Sequence, residues 1–151
     1  MEHEHLLNNN WSLYFHSKYS NEWKLDNYIH LGSFNTIEQF WKLYNSILKP
    51  EELMLFLMKN DIKPIWEDEY NKDGGTYAYR IHNNILPNIW TNVSCAVIGE
   101  TVHPENESIN GISISPKFHT SVLKIWVANQ TVNPEDFTIL KERGLPLFSK
   151  H

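Results

Sequence analysis

The stretch Pro64-Ile65-Trp66-Glu67-Asp68-Glu69-Tyr70-Asn71-Lys72-Asp73-Gly74-Gly75 decides how the rest of this chain is read. It sets a large aromatic face beside a carboxylate and follows both with a Gly-Gly pair suited to a turn. An indole offers its π-face to a flat, positively charged ring. The adjacent carboxylate can accept two parallel hydrogen bonds from an amidine-like edge, as on guanine. Taken alone, the pair is also compatible with a strand running into a turn. Three consecutive carboxylates, Glu67-Asp68-Glu69, do not have the spacing of converging metal ligands, so no metal site is expected there. No Gly-rich phosphate loop or nucleophile–base pair supports catalysis, and no cofactor is implied.

Outward from that block, the composition sets bounds. With 151 residues, 41% hydrophobic and 21% charged, the chain suits one domain with its own core. No apolar run approaches membrane-spanning length, and the polar N-terminus does not read as a signal peptide. The single cysteine, Cys95, allows no intrachain disulfide, which fits a reducing, cytoplasmic setting. Acids outnumber bases by 18 to 13, for a net charge of −5. That balance disfavours a long phosphate-gripping surface, so any nucleic-acid binding should use a small pocket that reads one end or one base. Six tryptophans are a high count for this length. Most should fill the core, with two reserved for ligand stacking.

Residues 1–9 are polar and His-rich and read as a flexible arm, leaving 10–151 as a single domain. Trp11 to Phe15 begins the ordered part as a strand, with Trp11, Leu13 and Phe15 on one face. His16 to Asn27 reads as a loop with Trp23 exposed in it, and Tyr28 to Ser33 returns as a strand. Asn35 looks like an N-cap, completed by Glu38 three residues on. The helix it opens carries Ile37, Phe40, Trp41, Tyr44, Ile47 and Leu48, and Lys49-Pro50 stops it. Leu53 to Met58 and Tyr77 to Ile81 read as strands, and Asn88 to Ile98 as a second helix ended by Gly99. Gly111 to Ser115 and Val122 to Val127 form a strand pair around a loop with Lys117 and His119. Asn133-Pro134-Glu135 opens a third helix that closes at Lys141-Glu142-Arg143 before Gly144. The pattern predicts an α+β fold, with helices covering one face of an antiparallel sheet.

Taken together, these residues resemble the eukaryotic translation initiation factor 4E family of mRNA cap-binding proteins. The likeness is carried by Trp11 to Phe15, Phe34 to Tyr44, Ile62 to Gly75 and Trp90 to Glu100. It continues through Gly111 to Trp126 and Lys141 to Pro146. The resemblance implies a curved, cupped-hand sheet with three helices on its convex face and the cap in its concave face. It implies a non-enzymatic role: binding the 7-methylguanosine triphosphate cap of mRNA and recruiting that mRNA for translation. The alternative it leaves is a cap-binding repressor of the homologous-protein type with a non-standard partner.

The resemblance implies that the methylated base stacks between Trp23 and Trp66, with Tyr28 as the other candidate for the first of these. Glu67 would accept from the guanine N1 and N2 protons. Trp126 would pack beside the N7 methyl group, although a core strand role fits it equally. On the phosphate side the matching positions hold Lys117, His119 and Val122, and Asp73 stands where a base is common. One firm cation therefore remains, with Lys124 or Lys72 as substitutes that spacing does not place. The sequence given ends at His151, so the family's loop near the second nucleotide is expected to be absent or reduced. On the back, the resemblance implies a surface for a scaffold or regulator protein like initiation factor 4G. Such a partner brings a helical Tyr-x-x-x-x-Leu segment. Trp41 and Ile37 would anchor it, and His5, Leu6 and Leu7 would flank it. Thr91, Asn92 and Cys95 replace an apolar–acidic–apolar set there.

Overall fold

Strand residues in this chain alternate between two chemically different faces, and that alternation places everything else. In β1 (Leu6–His16), Trp11 and Leu13 join the large core on one side, while Tyr14 joins a separate cluster on the other. The computed structural model describes residues 4–17, 22–47 and 53–151. Its other strands are β2 (Tyr28–Thr36), β3 (Met54–Lys59), β4 (Gly75–His82), β5 (Ile109–Pro116), β6 (Thr120–Val127) and β7 (Leu147–Lys150). They form one curved sheet in the order β2-β1-β3-β5-β6-β4-β7, with every neighbouring pair antiparallel.

On the convex face, Trp11, Leu57, Ile112, Ile125 and Tyr79 meet three helical segments. These are α1 (Ile37–Asn45) through Phe40, α2 (Leu86–Ile98) through Trp90, Val93 and Val97, and the later helical stretch through Phe137 and Leu140. Trp11 and Trp90 are among the largest fully buried side chains. Truncating either to alanine should cost about 3–5 kcal/mol. The concave face carries a smaller cluster of Tyr14, Met54, Phe56, Met58, Ile62 and Trp126, with Tyr28 against it. α1, α2 and the Phe137–Leu140 stretch thus share one face, and the smaller cluster lies on the other. This is the α+β arrangement expected from the sequence.

The details differ from expectation in five places. β1 starts at Leu6, so residues 6–9 join the sheet. Leu6 pairs with Thr36, the Ile37 amide donates to the His5 carbonyl at 2.9 Å, and Asn10 exchanges backbone and side-chain bonds with Asn60. The cap of α1 is Thr36, one residue after Asn35, because β2 runs on through Thr36. Its Oγ1 accepts from the Gln39 amide at 3.1 Å, and Gln39 Oε1 accepts from the Asn35 amide at 2.9 Å. Glu38, relieved of that role, accepts from the His5 amide at 2.9 Å and lies 2.5 Å from its ring Nδ1. The expected stop at Lys49-Pro50, with Leu48, lies outside the described residues; α1 itself ends at Asn45.

Helix α2 starts two residues before Asn88, with Pro87 in its first turn, where a missing N–H leaves no helical bond unmade. The third helical stretch is two short 3₁₀ helices, Pro134–Asp136 and Thr138–Arg143. Phe137 breaks it at φ −80°, ψ 74°, burying its ring 4.7 Å from His103 and 6.0 Å from Tyr77. Tertiary packing of one ring there overrides the helical pattern. Among the described residues no helix is long and apolar enough to cross a membrane.

Candidate functional site

The loop between β3 and β4 is fixed from within by two side chains. Asp68 accepts from the Lys63 and Tyr70 amides, each at 2.9 Å. Asn71 is fully buried, and its Nδ2 donates to the Lys63 and Ile65 carbonyls, each at 2.9 Å. Asn110 on β5 then donates to Asn71 Oδ1 at 2.9 Å and to the Tyr70 carbonyl at 2.7 Å. The glycines close the loop by allowing close approach. A Cβ on Gly74 would lie 1.8 Å from the Val127 carbonyl, and one on Gly75 2.5 Å from the Ser149 carbonyl. Neither has positive φ, so backbone proximity, rather than a turn conformation, requires them. This bracing presents Trp66 half-exposed, with Glu67 exposed beside it.

The loop between β1 and β2 is held differently. His16, fully buried at the end of β1, lies under Trp23 with ring centroids 4.2 Å apart and planes 14° apart. Its Nδ1 is 2.9 Å from the Ser17 carbonyl and its Nε2 2.8 Å from the Glu22 carbonyl. Trp23 is half-exposed, as Trp66 is.

Between the two tryptophans runs an unbroken line of ring contacts along the concave floor. Trp23 stacks on His16, His16 meets Tyr28 at 4.7 Å, and Tyr28 meets Phe56 at 5.2 Å. Phe56 meets Trp126 at 6.3 Å, Trp126 meets His151 at 5.2 Å, and His151 stacks on Trp66 at 5.2 Å with planes 13° apart. Trp126 is a floor residue, only 3% exposed, and its indole N–H donates to Ser113 Oγ at 3.0 Å. Tyr28 is part of the floor too. Burial, followed by the Glu67 carboxylate, pushes its hydroxyl up to about 12.

Cations gather at one end of this floor. Lys124, half-buried two residues before Trp126, is held below the usual lysine range by burial and then by Lys117. Lys117 and His119 are exposed in the β5–β6 turn, which Asn83 braces by donating to the Lys117 and Phe118 carbonyls at 3.0 and 3.2 Å. Lys72 and Asp73 are exposed in the β3–β4 loop, and Val122 is half-buried on β6. His151 donates from Nδ1 to the Asn71 carbonyl at 2.9 Å, and its buried Nε2 has no hydrogen-bond partner among the described residues. Burial holds its imidazole below the usual range. The Asn71 carbonyl opposes that shift, Lys124 adds to it, and Glu67 opposes it.

Four members of this arrangement, His16, Asn71, Asn110 and His151, were not singled out from the sequence. His16 alone left a local signal, an imidazole at an inward position of a strand whose other side is apolar.

On the convex side, Leu6 and Ile37 are exposed, Trp41 keeps about a third of its surface (36%), and Leu7 is half-buried against the core. Trp41 stands edge-on to Phe40 at 5.0 Å and to Tyr44 at 5.6 Å. The Tyr44 hydroxyl bonds to Thr91 Oγ1, tying α1 to α2. Asn92 is exposed on α2, and burial pushes the half-buried Cys95 thiol up.

Similarity to known proteins follows this architecture. Residues 6–143 match the family described as Eukaryotic initiation factor 4E. Eukaryotic translation initiation factor 4E of Eremothecium gossypii is 34% identical over 131 residues, covering 82% of this chain and 62% of that protein. Its Saccharomyces cerevisiae counterpart is 30% identical over 140 residues, covering 87% and 65%. The chain thus spans a little under two thirds of the length of these relatives. Among solved structures, Ascaris suum eIF4E-3 with m7G cap superposes with a TM-score of 0.79 at 25% identity, over 93% of this chain and 82% of that one. Caenorhabditis elegans eIF4E-3 in complex with the 4E-binding protein Mextli gives 0.86 at 26%, over 99% and 94%. With the match running from the first strand to the last 3₁₀ helix, this chain belongs to the eukaryotic initiation factor 4E family.

Proposed function

We propose that this chain binds the 7-methylguanosine 5′ cap of mRNA in its concave face and brings capped mRNA to translation initiation in the cytoplasm, without catalysing a reaction. The observation that carries this reading is the line of rings with one half-exposed tryptophan at each end and Glu67 beside one of them. Trp23 and Trp66 take the two faces of the methylated base, each contributing about 1–3 kcal/mol. Glu67 accepts from N1–H and N2–H, and Trp126 supports the N7-methyl edge from the floor. Lys117 and His119 meet the triphosphate. Lys124 supplies the second cation that Val122 and Asp73 do not, since it shares the floor with Trp126 and feels Lys117. The relative from Ascaris suum was solved with m7G cap, which supports the same ligand class here.

The back surface receives a helical segment of a scaffold or regulator protein on Ile37 and Trp41. His5, Leu6 and Leu7 lie along one side and Asn92 and Cys95 across α2. The Caenorhabditis elegans relative in complex with a 4E-binding protein supports a partner of this kind.

The deciding experiment is a tryptophan-fluorescence titration with 7-methyl-GTP and with GTP. Methylation makes the ring cationic, so stacking strengthens while the Glu67 bonds persist, and 7-methyl-GTP should bind at least about tenfold tighter. Equal affinities would refute the cap reading. For the back surface, Trp41→Ala should remove partner binding and spare 7-methyl-GTP binding; loss of both would return Trp41 to the core.

A further inference from the structure

Strands β4, β5 and β6 differ in charge from the rest of the chain. The sequence has 18 acidic residues, yet none lies between Gly74 and Gly99 or between Ser108 and Asn133. The lysines and arginines of those two stretches are Arg80, Lys117 and Lys124. Strand alternation puts Arg80 on the concave side. Tyr77, Tyr79 and Ile81 enter the convex core, so Thr76, Ala78, Arg80 and His82 turn the other way. On β6, Leu123 and Ile125 enter that core and Trp126 the concave cluster, which leaves Val122 and Lys124 on the side of Trp126. Register then orders the concave face in rows. Thr76 pairs with Trp126, Ala78 with Lys124, Arg80 with Val122 and His82 with Thr120. Successive rows are about 7 Å apart, so Arg80 lies about 14 Å from Trp126 along the strands. Arg80 is exposed and has no carboxylate partner among the described residues. Glu67 and Asp73 belong to the loop that leads into Gly75, at the opposite end of these rows.

The rows end at the tip of the β5–β6 hairpin. The Lys117 amide donates to the Thr120 carbonyl at 3.0 Å, so Phe118 and His119 make a two-residue turn. Asn83, just past β4, fixes it. Its amide donates to the His119 carbonyl at 3.1 Å, its Nδ2 to the Lys117 and Phe118 carbonyls, and its Oδ1 accepts from Ser121 Oγ at 2.5 Å. On this braced turn Phe118 is 89% exposed, against 50% for Trp23 and for Trp66. A ring held in water by a fixed turn contributes nothing to the core. Exposed rings interleaved with cations are how a single strand is held, bases on the rings and phosphates on the cations.

We propose that this end of the concave face binds the nucleotide that follows the cap: its base stacks on Phe118, and Arg80 takes the phosphate on its 3′ side. The proposal rests on the cap reading above and deepens it, from a methylated nucleotide to the RNA attached to it. Lys124 lies between Trp126 and this subsite, so the RNA leaves along the rows toward the hairpin. The positive field is continuous over that path, because Lys117 adds to burial in holding Lys124 below the usual lysine range.

The test compares 7-methyl-GTP with the capped di- and trinucleotides m7GpppA and m7GpppApG, by tryptophan-fluorescence titration of wild type and variants. Phe118→Ala should weaken m7GpppA and m7GpppApG about tenfold, as for one lost base stack, and leave 7-methyl-GTP within about twofold. Phe118→Tyr, which keeps the ring, should bind as wild type does, whereas Phe118→Leu should behave like the alanine variant. Arg80→Gln should weaken m7GpppApG alone, whose additional phosphate it meets, and lower the salt slope of its log affinity by about 0.7. Both side chains are exposed, so melting temperatures should not change. Equal losses for all three ligands would put these side chains on the triphosphate, and no loss for any would leave the hairpin tip to a protein contact. Either result overturns the proposal while the cap reading stands. A wild type that does not bind 7-methyl-GTP refutes the cap reading, and this subsite falls with it.

Discussion

The loops that carry Trp66 and Trp23 present equally exposed indoles by opposite means. The first is braced by Asp68, Asn71 and Asn110 and by glycines pressed on β6 and β7. In the second, the His16 imidazole stacks under Trp23 and reaches the Ser17 and Glu22 carbonyls, and Asn27 Nδ2 also donates to the Glu22 carbonyl at 3.2 Å. The difference teaches that the two halves of a stacking site need not be preorganised alike. One wall is fixed by a network of side-chain to backbone bonds, and the other rests on a ring face. Affinity should therefore depend more on the networked wall.

That contrast can be broken at several points. The largest effect is expected from Trp66→Ala, which removes the fixed stacking face and should weaken 7-methyl-GTP binding by about 3 kcal/mol with little change in melting temperature. A drop no larger than that of Trp23→Ala, measured by calorimetry, would erase the asymmetry. Next comes Asn71→Asp, a change of one atom type that sets a carboxylate oxygen against the Lys63 and Ile65 carbonyls. It should cost about 2 kcal/mol of stability, visible as a fall of about 5 °C in melting temperature, with cap affinity reduced in step. An unchanged melting curve would show that the loop does not depend on this hub.

Trp23→Ala should cost about 1 kcal/mol of cap affinity, at the low end for stacking, because that wall is less firmly fixed beforehand. The smallest effect belongs to His151. Its folded-state value lies below 6.5, so the folded protein favours the neutral ring. The associated stability is present above about pH 6.5 and falls as pH drops below it, because the unfolded chain then binds a proton that the folded one resists. An NMR titration should place its midpoint below 6.5, moving up in Lys124→Ala and down in Glu67→Gln. A midpoint at or above 6.5 would remove the electrostatic link between the braced loop and the cation end of the floor.

The sequence made the sheet, the two α-helices and the Trp-Glu block legible because each is written in local periodicity or in a contiguous motif. The start of β1 was hidden because Asn8-Asn9-Asn10 has low strand propensity. It pairs through contacts to Thr36 and Asn60, which lie far along the chain. The third helix carried every local start and stop signal, and was broken by the burial of Phe137, which no local rule records. Asn71 and Asn110 stand 39 positions apart, and His151 meets Asn71 across 80. Such polar hubs have no spacing to betray them. Lys124 was visible as a candidate cation, but only strand register shows that it shares the floor with Trp126.

The bracing of the β3–β4 loop has a consequence for how its length can vary. Lys63, Ile65, Asp68, Tyr70, Asn71 and Gly74 each use a backbone group within the loop, and the Gly74 carbonyl also receives the His151 amide at 3.1 Å. An insertion or deletion anywhere among them would shift every later partner by a residue and move Gly74 off the one position where β6 leaves no room for a side chain. Substitutions at exposed Glu69 or Lys72 can accumulate freely, whereas gaps cannot. Descent should therefore preserve the number of residues between Lys63 and Gly74 more strictly than most of their identities.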